Sequence, residues 1–327
     1  MQSLQFPVCL AVLVSRCFLV DQAQAEPRPV TRVTIHAPSV ARDMAFNLIL
    51  PAGYENSGKR YPVLYLLHGR NQDLEIWPRM RVPEYAANYD LIVVMPDAGN
   101  SWYVNWAESE GGEKNDWTDY IIKDLIGYVD AHYRTITARA GRAIDGYSMG
   151  GYGALYLGFT HPELFCSINS HSAALRSVER WRQRLDAAMA EPAVDDLFSA
   201  PSTTASTPRQ ATERESADSL KGIAPKGHIY VNAHQIDAHD PFKLVLAVPK
   251  EQLPDIRIDC GIDESLAEFS QRLANLLIEH KITFTFAQAP GRHNEENWSV
   301  AVQHSMAHQY AVIMKQLGSV LPARIAP

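Results

Sequence analysis

The sequence has few cysteines, no long basic segment and no apolar segment of membrane-spanning length. Its 327 residues include four Cys, and 30 Lys and Arg against 37 Asp and Glu give a formal net charge of −7. Because these charges are dispersed, no basic surface for a phosphate backbone is expected, and nucleic acid is excluded as a partner. A stable membrane span needs about 18 apolar residues in a row, and the sequence contains no such run. With 46% hydrophobic and 20% charged residues, the composition is that of a globular domain.

The first 25 residues predict an export signal. An apolar stretch at 8–14 is followed by small residues at Ala23 and Ala25, which is the pattern that signal peptidases cleave. The chain is therefore expected to be periplasmic or secreted. Because Arg16 interrupts the apolar part and no Lys or Arg precedes it, a buried N-terminal helix is the alternative interpretation.

The cysteines do not form a disulfide framework. Removal of the export signal would take Cys9 and Cys17 with it, which leaves Cys166 and Cys260. Both of these lie in apolar, strand-like segments, so they are predicted to be small buried side chains and not a disulfide.

Strand and helix patterns alternate along residues 26–327, which predicts a single α/β domain. Continuous apolar runs, typical of strands buried on both faces, lie at Val63–Leu67 and Leu91–Met95. Apolar residues at helical spacing predict a helix over Thr118–Tyr133. This alternation predicts a mainly parallel central sheet with helices on both faces. A Ser/Thr-rich stretch near 199–219 is predicted to be a flexible insert.

The strongest chemical signal is a Gly-x-Ser-x-Gly sequence at Gly146–Gly150. It lies between a predicted strand that begins near Arg142 and a Gly- and Ala-rich predicted helix. In that context small flanking residues let the chain turn sharply, and the serine hydroxyl is presented at the top of the sheet. Ser148 is therefore predicted to be a nucleophile.

Acyl transfer by such a serine also needs backbone N–H donors for the oxyanion. One donor is the residue after the nucleophile, which is Met149, and the other comes from the loop after the third strand. In this chain Leu67 is followed by His68-Gly69-Arg70, so the N–H of Arg70 is the second candidate. His68 is expected to anchor the loop.

A histidine must serve as the general base, and in this architecture it follows the last strand. His293 comes directly after the strand that ends near Ala287 and satisfies that order. The acid is expected after the strand Ile256–Asp259, where Asp263 and Glu264 can each accept the Nδ1–H of the imidazole. Spacing does not choose between these two carboxylates.

No metal or organic cofactor is predicted. His304 and His308 are four residues apart but lack the Glu of the zinc-protease motif, so they are interpreted as helix-face residues. A second polar cluster precedes Pro241 and is interpreted as the polar residues of a turn. It consists of His234, Asp237, His239 and Asp240.

Six segments stand in a fixed order along the chain: Leu66–Gly69, Pro96–Tyr103, Tyr120–Ile126, Gly146–Ala154, Asp259–Gly261 and His293. Together they resemble the esterase family of α/β-hydrolases that includes esterase D (S-formylglutathione hydrolase), feruloyl and acetyl xylan esterases, and the mycolyltransferases. The resemblance implies Ser148 as nucleophile, His293 as base, and Arg70 and Met149 as oxyanion donors. It also implies Glu264 as the acid, at a position where family members usually have Asp, which leaves Asp263 as the alternative.

The residues and the resemblance together predict a serine carboxylic-ester hydrolase. It would act through a Ser-His-acid triad and an acyl-enzyme, on short-chain acyl esters or on acetyl or feruloyl esters linked to carbohydrate. Trp102 and Tyr147 are predicted to contact the substrate, with simple loop packing as the alternative for Trp102. Two other functions remain open. One is an acyltransferase to a sugar acceptor, and the other is a catalytically silent carbohydrate-binding homologue.

Overall fold

The computed structural model describes residues 26–188 and 226–318. The predicted export signal, with Cys9 and Cys17, and the predicted insert near 199–219 lie outside these residues. Within the two described ranges, no helix is both long and apolar enough to cross a membrane.

Within these described ranges, eight strands form one central sheet. They are β1 (Val30–Ala37), β2 (Arg42–Ile49), β3 (Val63–Leu67), β4 (Ile92–Pro96), β6 (Arg142–Tyr147), β7 (Ser167–His171), β9 (Asp255–Gly261) and β10 (Thr285–Ala289). Their order across the sheet is β1-β2-β4-β3-β6-β7-β9-β10. The pairs β1–β2 and β2–β4 are antiparallel and all the others are parallel. The predicted mainly parallel sheet is thereby confirmed. Two short strands, β5 (Glu108–Ser109) and β8 (Gly227–His228), form a separate ribbon.

Helices cover both faces of the sheet. They are α1 (Ile76–Arg79), α2 (Val82–Ala86), α3 (Trp117–Asp119), α4 (Ile126–His132), α5 (Met149–Thr160), α6 (Arg176–Ala188), α7 (Ala233–Ala238), α8 (Pro241–Ala247), α9 (Ala267–Glu279) and α10 (Glu295–Gln316). Short 3₁₀ turns lie at Arg139–Gly141 and Lys250–Gln252. Helices α3, α4, α5 and α9 contribute to one hydrophobic cluster, whereas α1, α2 and α10 contribute to the other.

Successive side chains of β3 belong alternately to these two clusters, one on each face of the sheet. Val63, Tyr65 and Leu67 belong to the cluster beneath α5, and Leu64 and Leu66 belong to the cluster beneath α10. All five residues are buried. A strand with apolar groups on both faces is stable only when both faces are covered, which explains the uninterrupted apolar sequence.

The helix predicted over Thr118–Tyr133 is interrupted in the structure. A π-helical segment, Tyr120–Leu125, lies between α3 and α4. The wider π-turn brings residues five apart onto one face, and Ile121 and Ile126 are both buried in the same cluster. The spacing of the apolar residues indicated helix correctly but did not distinguish a π-turn from an α-turn.

Cys166 and Cys260 are both buried free thiols, which confirms the sequence interpretation. Burial raises the pKa of Cys166 to about 11 and that of Cys260 to about 12. Both therefore stay protonated at neutral pH.

Candidate active site

Ser148 lies in a sharp turn between β6 and α5. Its backbone has φ 55° and ψ −116°, a conformation that costs free energy in any residue with a side chain. A Cβ at Gly146 would overlap the backbone of Gly150, and a Cβ at Gly150 would overlap the carbonyl of Leu67. The Ser148 N–H donates to the carbonyl oxygen of His171 at 2.9 Å. Two glycines and one cross-strand hydrogen bond therefore hold the serine in this conformation.

His293 connects Ser148 to Glu264. Its Nε2 lies 3.0 Å from the Ser148 Oγ, and its Nδ1 lies 2.7 Å from the Glu264 Oε2. The Glu264 side chain is only 1% exposed, whereas that of His293 is 37% exposed. With the Nδ1–H donated to the carboxylate, the Nε2 lone pair faces the serine hydroxyl. This arrangement suits proton abstraction from Ser148.

The second oxygen of Glu264 is also occupied. Oε1 accepts the Gly261 N–H at 2.7 Å and the Ser172 Oγ–H at 2.6 Å. Burial raises the pKa of Glu264, but hydrogen bonds from His293, Ser172 and Gly261 outweigh it and hold that pKa below its ordinary value. The carboxylate is therefore charged at neutral pH. Sequence reasoning missed Ser172; the available signal was a polar residue directly after β7, beside the nucleophile strand.

Asp263, the alternative acid, does not face the imidazole. Its Oδ2 accepts the Gly291 N–H at 3.2 Å, and its own N–H donates to the Gly291 carbonyl at 3.1 Å. The residue is exposed. Asp263 thus holds the loop that carries His293, while Glu264 is the carboxylate in contact with the ring.

His68 anchors the loop after β3. It is fully buried, and its Nδ1 lies 2.8 Å from the Gly69 carbonyl oxygen. Its Nε2 accepts the Ala98 N–H at 3.0 Å. Through these two contacts the buried ring links two neighbouring loops, as expected for an anchor.

Arg70, which follows β3, and Met149, at the start of α5, lie at the carboxyl edge of the sheet. Leu67, at the end of β3, pairs in register with Gly146 near the end of β6. Met149 is the first residue of α5, and a first-turn N–H has no partner within its helix. The positive end of the helix dipole points to the same place. The two backbone N–H groups predicted for the oxyanion therefore belong to segments that run side by side next to Ser148.

An aromatic stack supports the imidazole. The Trp298 ring meets His293 edge to face, with centroids 4.6 Å apart, and stacks on Tyr147 at 4.2 Å. Tyr147 also packs against Trp77 at 5.2 Å and is 1% exposed. Since Tyr147 is the last residue of β6 and points to the face covered by α10, it lies beneath the site and not on its surface. The expected substrate contact of Tyr147 is therefore corrected to a packing contact.

Trp102 is also enclosed by protein. It is 4% exposed and packs edge to face against Trp181 at 4.8 Å and Tyr152 at 5.7 Å. Trp102 and Tyr103 both have φ 61°, so this loop turns sharply around the two rings. The geometry matches the loop-packing alternative for Trp102, in an aromatic cluster above α5.

A buried charged network, which sequence reasoning missed, lies below the Ser148 turn. His171 Nδ1 is 2.7 Å from Asp259 and Nε2 is 3.0 Å from Asp145, and Arg257 also binds Asp259 at 2.8 Å. Burial lowers the pKa of His171, but the two carboxylates raise it more, to about 10. Asp259 therefore belongs to this network and is not the residue that contacts His293. The signal for this network was the presence of Asp and His inside apolar strands.

In the two groups weighed as metal sites, several side chains have other partners. His308 lies 2.6 Å from Asp255, Asp237 pairs with Lys243 at 2.6 Å, and Asp240 caps α8 through the Phe242 N–H. Within residues 26–188 and 226–318, no three His, Cys, Asp or Glu residues come together as a metal site.

A protein-family model matches most of the chain. The family is described as "Putative esterase", and the match covers residues 37–310. Esterase Rv1288 of Mycobacterium tuberculosis is 36% identical over 163 residues, which are 48% of this chain and 35% of that protein. The chain therefore aligns with about a third of the length of this curated relative.

Solved structures show the same fold. FphF, a fluorophosphonate-binding serine hydrolase of Staphylococcus aureus, superposes with a TM-score of 0.64 at 23% identity, over 87% of this chain and 99% of that one. A ferulic acid esterase superposes with a TM-score of 0.63 at 20% identity, over 88% and 99%. These similarities confirm the α/β-hydrolase fold.

Proposed function

The chain belongs to this esterase family, and from that premise we propose that it is a serine carboxylic-ester hydrolase with Ser148 as its nucleophile. The observation that carries the proposal is the hydrogen-bonded order of Ser148, His293 and Glu264, at 3.0 Å and 2.7 Å. A catalytically silent homologue would be expected to lack one of these groups, and here all three are in contact.

The proposed reaction has two steps. In the first, His293 Nε2 takes the Ser148 proton while Oγ bonds to the ester carbonyl carbon, and the N–H groups of Met149 and Arg70 bind the resulting oxyanion. The imidazolium then gives its proton to the departing alkoxide, which leaves as the alcohol. In the second step, water loses a proton to His293 and attacks the acyl-enzyme, and Ser148 leaves with that proton as the acid is released.

Glu264 has two tasks in this scheme. It holds the Nδ1–H of His293 so that Nε2 is free to accept a proton, and its charge stabilises the imidazolium that forms in each step. The low exposure of the carboxylate makes this attraction stronger than it would be in water.

The proposed substrates are short-chain acyl esters and acetyl or feruloyl esters linked to carbohydrate. The similarity to a ferulic acid esterase supports an aryl acyl group. Rates on p-nitrophenyl acetate, p-nitrophenyl butyrate and a feruloyl ester would rank these acyl groups. An acyltransferase would instead divert the acyl-enzyme to added sugars, which product analysis would detect.

Replacing the nucleophile tests the proposal. Ser148→Ala is expected to lower kcat for p-nitrophenyl acetate by at least about 10⁴-fold, because among the described residues the hydroxyl that hydrogen-bonds to His293 is that of Ser148. Ser177→Ala, in the half-buried start of α6, is the matched control and is expected to keep wild-type kcat. A fluorophosphonate probe should modify Ser148, as located by peptide mass. Wild-type hydrolysis by Ser148→Ala, or modification of a different serine, would contradict the proposal.

We also propose that residues 1–25 direct export and that residues 26–327 form one mature domain. The patterns at 8–14 and at Ala23 and Ala25 support this proposal. N-terminal sequencing of the protein recovered from the periplasm or medium is expected to begin at Glu26. Recovery of the uncleaved chain from the cytoplasm alone would contradict it.

A further inference from the structure

The acid and three neighbouring side chains form a closed circuit of contacts. His293 binds Oε2 of Glu264, and Ser172 Oγ donates to Oε1 of the same carboxylate at 2.6 Å. The Trp298 indole N–H reaches Ser172 Oγ at 3.3 Å, and the Trp298 ring returns to the imidazole at 4.6 Å. Each of the four side chains therefore contacts two other members of the circuit.

We propose that Ser172 is a positioning residue, which holds the Glu264 carboxylate in the orientation that the triad needs. The inference rests on the proposed function, since it concerns how the same triad is held. The Ser172 hydroxyl bonds to Glu264, so its effect on the triad is exerted through that carboxylate.

Ser172 is itself held rigidly. It follows β7 directly, its N–H donates to the Asp259 carbonyl at 2.8 Å, and its side chain is buried. Its φ of 45° lies in the left-handed region, which a residue with a side chain adopts only where its surroundings hold it there. A hydroxyl fixed in this way can define the direction of its acceptor.

A glutamate acid has particular need of such a partner. Glu has one more rotatable bond than Asp, so its carboxylate has more orientations to lose. The Gly261 N–H and the Ser172 O–H bind the same oxygen, Oε1, which directs Oε2 toward the His293 Nδ1. The hydrogen bond from Ser172 also helps to keep the pKa of the buried Glu264 low. The Cys260 thiol also lies beside this carboxylate, and burial raises its pKa so that it stays neutral.

Two variants remove the hydroxyl with different backbone consequences. Ser172→Ala keeps a side chain at the positive φ, and Ser172→Gly relieves that constraint. Ser305→Ala is the matched control because the Ser305 Oγ also donates to a buried carboxylate, that of Asp145, at 2.6 Å. All three variants lose one short hydroxyl-to-carboxylate bond, but only the first two lose it at the acid of the triad.

The Ser172 variants are expected to lower kcat for p-nitrophenyl acetate by about 10- to 100-fold, with KM within twofold of wild type. The lower edge of the pH range of activity should move upward, because a carboxylate with one donor fewer is protonated more easily. Ser305→Ala should lose about as much thermal stability as the Ser172 variants do, but it should keep the wild-type kcat and pH profile.

Proton NMR gives a measurement that does not depend on turnover. The Nδ1–H of His293 should give a downfield resonance in the wild type and in Ser305→Ala, and it should shift or broaden in both Ser172 variants. If the resonance, kcat and pH profile of the Ser172 variants are unchanged while Ser148→Ala is inactive, the role of Ser172 is refuted and the esterase proposal stands. If the wild type hydrolyses no ester, the esterase proposal fails, and the resonance still decides whether Ser172 orients Glu264.

Discussion

Glu264→Gln keeps the shape of the acid and removes its charge. In the wild type, Oε1 accepts hydrogen bonds from the Gly261 N–H and the Ser172 O–H, and Oε2 faces the His293 Nδ1. A carboxamide has one acceptor oxygen, and the two donors select that oxygen for the Oε1 position. Its NH₂ group must then face Nδ1, so the imidazole carries its proton on Nε2, toward Ser148.

An imidazole with its proton on Nε2 cannot accept the Ser148 proton. The variant also lacks the charge that stabilises the imidazolium. The corresponding Asp→Asn change in a serine-protease triad lowers kcat about 10⁴-fold. We expect a similar fall for Glu264→Gln, equivalent to about 5.5 kcal/mol in activation free energy.

Asp263→Asn is the matched control for this variant. The exposed Asp263 carboxylate accepts one backbone N–H, from Gly291 at 3.2 Å, and an amide oxygen can accept the same bond. Its kcat should therefore stay within about threefold of wild type, since only one exposed hydrogen bond is altered. Hydrolysis of p-nitrophenyl acetate measures both variants, and circular dichroism melting checks that both are folded. A loss in Asp263→Asn as large as that in Glu264→Gln would refute the assignment of the acid, and small equal losses would exclude both carboxylates.

Two further predictions concern stability. Gly150→Ala should destabilise the fold by about 2–3 kcal/mol, because its Cβ would overlap the carbonyl that ends β3. The control Gly127→Ala has open space around its Cβ and should change the free energy of unfolding by under about 1 kcal/mol. Urea unfolding compares the two variants, and equal effects would contradict the reasoning. Burial lowers the pKa of His171, but Asp145 and Asp259 raise it more, to about 10. The contribution of His171 to folding stability is therefore fully present below the unfolded pKa of about 6.5 and is lost as the pH rises toward 10. The free energy of unfolding should therefore fall between pH 7 and pH 10, and by less in His171→Asn; an equal slope in both proteins would refute this.

The sequence alone was enough to predict the fold and two members of the candidate triad. Apolar runs such as Val63–Leu67 indicate strands covered on both faces, because successive side chains of a strand point to opposite faces and each apolar face must be covered. Ser148 could be predicted because the constraint on its turn is local: Gly146 and Gly150 must lack a Cβ for the chain to fold back. The position of His293 follows from strand order, since the loops after parallel strands meet at one edge of the sheet.

The tertiary structure decided which side chain faces which. Asp263 and Glu264 are adjacent and carry the same group, and only the path of the turn after β9 directs Glu264 toward His293 and Asp263 toward Gly291. Tyr147 neighbours the nucleophile in sequence, but its side chain lies on the face of the sheet covered by α10, where it stacks on Trp298.

The contacts of Ser172 and His171 likewise depend on tertiary structure. Ser172 meets Glu264 92 residues away and Trp298 126 residues away, and His171 lies between carboxylates on two neighbouring strands. Propensity and periodicity act over a few residues, so they indicate which segments form strands, turns and helices. The direction of a hydrogen bond between distant side chains is set only when packing of the whole sheet and its helices fixes both backbones.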